Sequence, residues 1–103
     1  MVRSFSYASF AGLDQFLGSD AARGADAENL AGWARAWQNS ATAAFLAAYC
    51  ETVGTGRELL PAPEQAQALF TAYLLEKALY ELLYELNNRP TWLRIPISGI
   101  LSM

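Results

Sequence analysis

The segment between Pro63 and Pro90 most constrains how this chain can fold. It contains no internal glycine or proline, and leucines recur in it at every third or fourth position, at 75, 79, 82 and 86. Such spacing predicts a helix, because about 100° of rotation per residue aligns these positions on one side. Pro63 suits the first helical turn, and Pro90 prevents simple continuation. We therefore predict one long helix from about Glu64 to Asn87.

This predicted helix has two distinct faces. The leucine stripe is defined as Leu75, Leu79, Leu82 and Leu86. The opposite side, called here the tyrosine face, consists of Tyr73, Lys77, Tyr80, Tyr84 and Asn88. Tyrosine combines a flat apolar ring with a polar tip, so this face suits a ligand that both stacks and hydrogen-bonds. The alternative is that the tyrosines pack beneath a neighbouring lobe, since aromatic stripes usually belong to a core.

The rest of the chain is also helical in pattern. The first helix is predicted from Val2 to Leu17, with no N-cap residue before it and Gly18 as its stop. A helix without a capped start suggests that the chain begins within a longer ancestral sequence. Asp26 is a candidate N-cap for a second helix. That helix carries two tryptophans and then several alanines.

Loops are predicted at Gly18–Ala27 and Glu51–Pro63, and Pro96 is expected to open a short terminal turn. No segment shows the alternation typical of strands. The predicted fold is therefore all-α: a small antiparallel bundle of three main helices plus a short C-terminal helix. With 103 residues, a single domain over residues 1–103 is expected.

Composition excludes several classes of function. The net charge is −3 and the basic residues are scattered, so no nucleic-acid surface is predicted. There is no histidine, which removes the usual general base and most zinc sites. The single Cys50 is expected to be a buried small apolar residue. No long apolar run or leader is visible, so we predict a cytoplasmic protein that does not contact a membrane.

Catalytic residues are not predicted. Glu76, Glu81 and Glu85 share one helix, but no nucleophile or metal ligand accompanies them. Ordinary ion pairs one turn apart, Lys77 with Glu81 and Glu85 with Arg89, explain the last two better. The tryptophans are interpreted as core or interdomain packing; they are Trp33, Trp37 and Trp92.

The last third of the chain resembles a known family. The string LLEKALYELLYELNNRPTWLRIPISGIL looks like the C-terminal end of bacterial maltokinases, and equally like the maltokinase domain fused behind trehalose synthase. The opening MVRSFSYAS resembles an internal segment of the same proteins, and the middle of the chain fits less specifically. The resemblance implies the end of a kinase-like C-lobe, related to aminoglycoside phosphotransferases.

The family's activity is ATP-dependent phosphorylation of maltose to maltose 1-phosphate, which links trehalose metabolism to glycogen synthesis. ATP and magnesium are implied for the parent family. This sequence lacks the parts that would bind and use them: the HGD-type catalytic loop, the metal-binding aspartate motif and the nucleotide lobe. No cofactor is therefore expected in this chain, which is predicted to be an inactive fragment by itself. The expected partners are the upstream kinase region and, at most weakly, a maltose-like sugar.

By the same resemblance, Lys77, Tyr80 and Tyr84 match a lysine and two tyrosines on the helix that borders the maltose pocket. Glu81 and Asn88 lie nearby. A terminal signature is taken as structural, turning the chain and anchoring the last helix; it comprises Arg89, Pro90, Trp92 and Pro96. A second hypothesis is a non-enzymatic helical module that self-associates. It rests on the uncapped first helix and on an apolar content of 53%, which leave surface to be covered.

Overall fold

The computed structural model describes residues 1–19, 26–54 and 62–103, and every regular element in this part of the chain is helical. The elements are α1 (Val2–Leu17), α2 (Ala27–Val53), α3 (Pro63–Asn88), a 3₁₀ turn (Pro90–Trp92) and α4 (Arg94–Leu101). The predicted all-α class, with three main helices and a short C-terminal helix, is confirmed. No helix of the described ranges is both long and apolar enough to cross a membrane.

The Cα positions group into two compact units, Met1–Cys50 and Glu51–Met103. The expectation of one domain over the whole chain stays a prediction. The two units are described separately below.

Local signals set the helix ends of the first unit. α1 has the predicted bounds, and its N-cap residue, Met1, makes no side-chain capping bond. Asp26 caps α2 as predicted, because its Oδ1 accepts the backbone N–H groups of Glu28 at 3.1 Å and Asn29 at 3.2 Å. These bonds satisfy two of the donors that a helix start leaves without partners.

The predicted second loop begins too early. α2 continues through Glu51 and ends at Val53, just before Gly54. Nothing between Ala36 and Val53 breaks a helix, so the chain stays helical until the glycine. Residues 20–25 and 55–61, which carry most of the two predicted loops, lie outside the described residues.

Polar side chains join α1 to α2. Gln38 Nε2 donates to Ser6 Oγ at 2.7 Å, and Ser9 Oγ donates to the carbonyl of Ala34 at 3.0 Å. Arg3 Nη1 donates to the same Ser6 oxygen at 3.0 Å. Arg3, Ser6 and Ser9 are the buried residues of α1. The side of α1 that is closed to water is therefore polar, although phenylalanines alternate with these residues.

Aromatic rings lie beside this polar seam. The ring centroid of Phe5 is 6.2 Å from that of Trp37 and 6.0 Å from that of Phe45, both in edge-on geometry. Trp37 nevertheless stays 50% exposed and Trp33 70% exposed, so neither is a core residue; the alternative of interdomain packing stays a prediction.

Cys50 is exposed, which corrects the expectation that it is buried. Along α2 it lies on nearly the opposite side from Ala34 and Gln38, which contact α1. The Ala-rich sequence around it signalled close packing, but periodicity alone does not say which side of such a helix is covered.

In the second unit, α3 is slightly longer than predicted, from Pro63 to Asn88, with the proline in the first turn. Arg89 then leaves the helical conformation, at φ −139° and ψ 73°. A residue that precedes proline is pushed out of the α region by the proline ring, so Pro90 explains this exit. The predicted terminal turn is a full helix, α4, which begins at Arg94, two residues before Pro96.

The buried side of α3 is neither of its two predicted faces. Ala78, Glu81 and Glu85 are its buried residues, and on the helix they lie between the leucine stripe and the tyrosine face. α4 contributes the other buried residues of this unit, Ile95 and Pro96. Contacts link α3, the 3₁₀ turn and α4 to one another. A buried stripe with two carboxylates needs polar partners, and one of them is identified below.

Candidate functional site

The tyrosine face of α3 is open to solvent. Tyr73, Tyr80 and Tyr84 are 66%, 61% and 46% exposed, and Lys77 and Asn88 are exposed as well. No described residue of this chain covers these tyrosines, and the alternative in which they pack beneath a neighbouring lobe stays a prediction. The rings stand along one side of a helix whose buried stripe lies about a quarter turn away.

Lys77 and Tyr80 are in contact within this face. The Nζ atom of Lys77 lies 4.8 Å from the centroid of the Tyr80 ring, within the range of a cation–π interaction. The sequence instead predicted that Lys77 would pair with Glu81. Glu81 is buried, with 6% exposure, whereas Lys77 is exposed on the neighbouring side. Lys77 therefore contacts the ring of Tyr80, which lies three residues later and about one helical turn along the same face.

Tyr84 ends the face beside a cluster at the C-terminus of α3. Arg89 forms a two-pronged ion pair with Glu85, with Nη2 to Oε1 at 2.6 Å and Nε to Oε2 at 3.0 Å. The predicted Glu85–Arg89 pair is thus confirmed. The same guanidinium carbon lies 4.2 Å from the ring of Trp92 and 5.8 Å from the ring of Tyr84. Tyr84, Glu85, Arg89 and Trp92 are called here the Arg89 cluster.

Two asparagine amides close the last turn of α3. Asn87 Nδ2 donates to the carbonyl of Leu83 at 3.0 Å, and Asn88 Nδ2 donates to the carbonyl of Tyr84 at 2.8 Å. The amide nitrogen of Asn88 is therefore engaged with the backbone of its own helix, so within the tyrosine face this residue contributes to the helix end. Ligand contacts from this face would come chiefly from its lysine and tyrosines.

The structure brings the three predicted binding residues into one row. Lys77, Tyr80 and Tyr84 follow each other at three- and four-residue steps, so they span about 10 Å along the helix axis. The row offers one ammonium donor, two ring faces and two phenol groups. Such a surface can bind a mixed polar and apolar molecule.

Sequence reasoning missed the link between Tyr84 and Arg89. The helical spacing pointed only to Glu85 as the partner of Arg89. The stacking on Trp92 depends on the turn at Pro90, whose direction a helical pattern does not reveal. The sequence signal for this stacking was Arg89-Pro90 with Trp92 two residues later.

The leucine stripe forms a second exposed surface on α3. Leu75, Leu79 and Leu86 are 41%, 50% and 58% exposed, and the adjacent Leu83 is 61% exposed. Its spacing of four, three and four residues is that of a seam between two helices. This apolar surface is larger than isolated surface leucines would give, so it calls for a partner.

No protein-family model matches the chain, and no solved structure matches it.

Proposed function

We propose that this chain is the C-terminal helical part of a cytoplasmic maltokinase-type phosphotransferase and forms one wall of its sugar-acceptor site. The resemblance over the last third of the chain motivates the proposal. The observation that carries it is the exposed row of Lys77, Tyr80 and Tyr84 on α3. Their exposure within the described residues leaves the rings accessible to a ligand.

The chemistry of the row suits a sugar. A pyranose presents C–H groups on its faces and hydroxyls around its rim. Tyrosine rings pack against the first, while phenol and ammonium groups hydrogen-bond to the second. A disaccharide such as maltose could extend along a row of this length. Covering even part of two exposed rings with a sugar removes apolar surface from water, which favours binding.

The other half of the reaction would lie outside this chain. Phosphoryl transfer requires nucleotide cradling, metal ligands and a catalytic carboxylate. In the proposed protein an upstream kinase region supplies these groups, and ATP and magnesium bind there. The residues of this chain position the acceptor, so substitutions in the row should raise KM for maltose more than they lower kcat.

The direct test joins this chain to the kinase region encoded upstream of it and measures maltose 1-phosphate formation. Tyr80→Ala and Lys77→Ala should each raise KM by about tenfold, corresponding to the loss of one good contact. Tyr73→Ala is the matched control, because this tyrosine is equally exposed but precedes the row. Equal KM values in all variants, or an upstream sequence without kinase motifs, would contradict the proposal.

The second candidate function is self-association, and the exposed leucine stripe favours it. Two copies could bury their stripes against each other, since a seam with this spacing pairs with another like itself. Sedimentation equilibrium from about 1 µM to about 1 mM would show the dimer. Leu79→Glu should abolish it, whereas Leu69→Glu, at nearly the same exposure but off the stripe, should not. A strictly monomeric chain would rule this function out.

A further inference from the structure

We infer that Arg89 is a positioning residue that holds the ring of Tyr84 in place for the acceptor. This inference rests on the proposed function, in which the row of Lys77, Tyr80 and Tyr84 contacts the acceptor. Within that row it makes Tyr84 the fixed end and Tyr80 the mobile end. The geometry of the Arg89 cluster supports it.

Arg89 is anchored by Glu85. Glu85 is 1% exposed, and both of its carboxylate oxygens accept N–H groups of the Arg89 guanidinium. A fork of two parallel bonds fixes the plane of the guanidinium as well as its position. A buried carboxylate cannot swing away from its helix, so Arg89 is tied to a rigid point.

The same guanidinium stacks on Trp92. The guanidinium carbon lies 4.2 Å from the indole ring, and Trp92 belongs to the 3₁₀ turn after Pro90. Weakly hydrated guanidinium groups stack well on aromatic faces, unlike lysine ammonium groups. Arg89 is therefore held from two directions, by α3 and by the turn that follows it, although its side chain keeps 45% exposure.

Tyr84 contacts the same guanidinium. Its ring centroid lies 5.8 Å from the guanidinium, at the outer limit of a cation–π interaction. An exposed tyrosine otherwise exchanges rotamers on the picosecond to nanosecond scale. The fixed cation beside it favours one rotamer, while the 46% exposure leaves part of the ring available to a ligand. Ordering a side chain before binding reduces the entropy lost in binding.

Tyr80 provides the contrast within the same row. Its cation is Lys77, which is exposed and reaches the ring from a flexible four-carbon chain. Among the described residues, no carboxylate fork like that of Glu85 holds that contact. The two tyrosines thus differ in order, and only the one next to Arg89 should respond when Arg89 is changed.

The test titrates maltose into the 103-residue chain and follows the side-chain ring signals of Tyr80 and Tyr84 by NMR, which detects millimolar binding. Arg89→Lys keeps the charge but loses the fork and the stacking. It should weaken maltose binding by about two- to tenfold, the range expected for ordering one side chain. It should also shift the Tyr84 ring signals in the absence of sugar and leave those of Tyr80 unchanged.

A double-mutant cycle separates positioning from general stabilisation. In a Tyr84→Ala background, Arg89→Lys should have no further effect on the dissociation constant. In a Tyr80→Ala background it should keep its full effect. Equal effects in both backgrounds would overturn the inference, because Arg89 would then act without Tyr84.

These outcomes also separate a failure of the Arg89 positioning role from a failure of the proposed sugar-acceptor function. If maltose shifts no NMR signals of the wild-type chain, the sugar assignment fails. Shifted Tyr84 ring signals in Arg89→Lys would even then show that Arg89 orders this ring. If those signals do not move, the positioning role is refuted even when maltose binds. Should Arg89→Lys not fold, Glu85→Gln serves as the second variant, since it loosens the fork and leaves Arg89 and Tyr84 in the chain.

Discussion

Replacing Arg89 with alanine should destabilise the second unit more than replacing Glu85 with glutamine. The two partners of this ion pair differ sharply in burial: the carboxylate is 1% exposed and the guanidinium side chain 45% exposed. Losing Arg89 removes two charge-assisted hydrogen bonds from a carboxylate that is closed to water. Neutralising Glu85 leaves an arginine that water can already reach. The cost therefore depends on which partner is removed.

The magnitudes follow from this asymmetry. Breaking a buried ion pair by removing one partner costs about 3–5 kcal/mol, and the half-exposed arginine places Arg89→Ala near the lower end. Contact with Trp92 is lost as well, which adds about 0.5–1 kcal/mol at a partly exposed site. Glu85→Gln keeps the shape of the side chain and one acceptor oxygen, so we expect a loss of about 1 kcal/mol.

Urea unfolding monitored by tryptophan fluorescence and circular dichroism would measure both losses. The midpoint should fall much further for Arg89→Ala than for Glu85→Gln, with the slope of the free energy against urea unchanged. Arg35→Ala, at an exposed arginine of α2, is the control and should lie within about 0.5 kcal/mol of wild type. Equal losses for the pair, or a larger one for Glu85→Gln, would refute the reasoning.

Three further predictions concern the first unit. Asp26→Ala should remove the N-cap of α2 and cost about 1 kcal/mol, seen as a lower thermal midpoint, while Asp26→Asn should cost less. Ser6→Ala should cost about 1–2 kcal/mol in urea unfolding, since Arg3 and Gln38 each lose one hydrogen bond to the Ser6 hydroxyl; an unchanged midpoint would show that water replaces it. Cys50 should react with a maleimide in the native protein about as fast as in the denatured one, and slow labelling would contradict its exposure.

The helix ends were predictable because short-range chemistry sets them. Asp26 caps α2 through its own side chain, Pro63 starts α3, and Pro90 stops it through the geometry of the residue before it. None of these effects depends on distant parts of the chain. The loop was predicted to begin at Glu51, whereas α2 continues to Val53, because no helix breaker precedes Gly54.

Burial was less predictable, because hydrophobic periodicity identifies faces without showing which one is covered. On α3 the pattern defined a leucine stripe and a tyrosine face, but the buried residues, Ala78, Glu81 and Glu85, lie between them. A buried carboxylate is acceptable only where a donor such as Arg89 meets it, and that donor arrives from outside the helix. The exposure of Trp33 and Trp37 has the same origin.

The candidate site could be predicted in part. The alignment of Lys77, Tyr80 and Tyr84 follows from helical rotation alone, and the structure leaves that row open. The partners of the row could not be predicted in the same way. Lys77 contacts a ring rather than a carboxylate, and Tyr84 contacts an arginine held by the turn after α3. Both contacts depend on side-chain choices among several residues within reach.

The seam between α1 and α2 has a consequence for how the two helices find their alignment. A seam of leucines tolerates a shift by one turn, because one apolar contact replaces another. Here the Ser6–Gln38 and Ser9–Ala34 hydrogen bonds would both break on such a shift, and buried donors and acceptors would lose their partners. The polar seam thus selects a single register. Apolar substitutions at Ser6 or Ser9 should permit several alignments, visible as broadened NMR signals from α1.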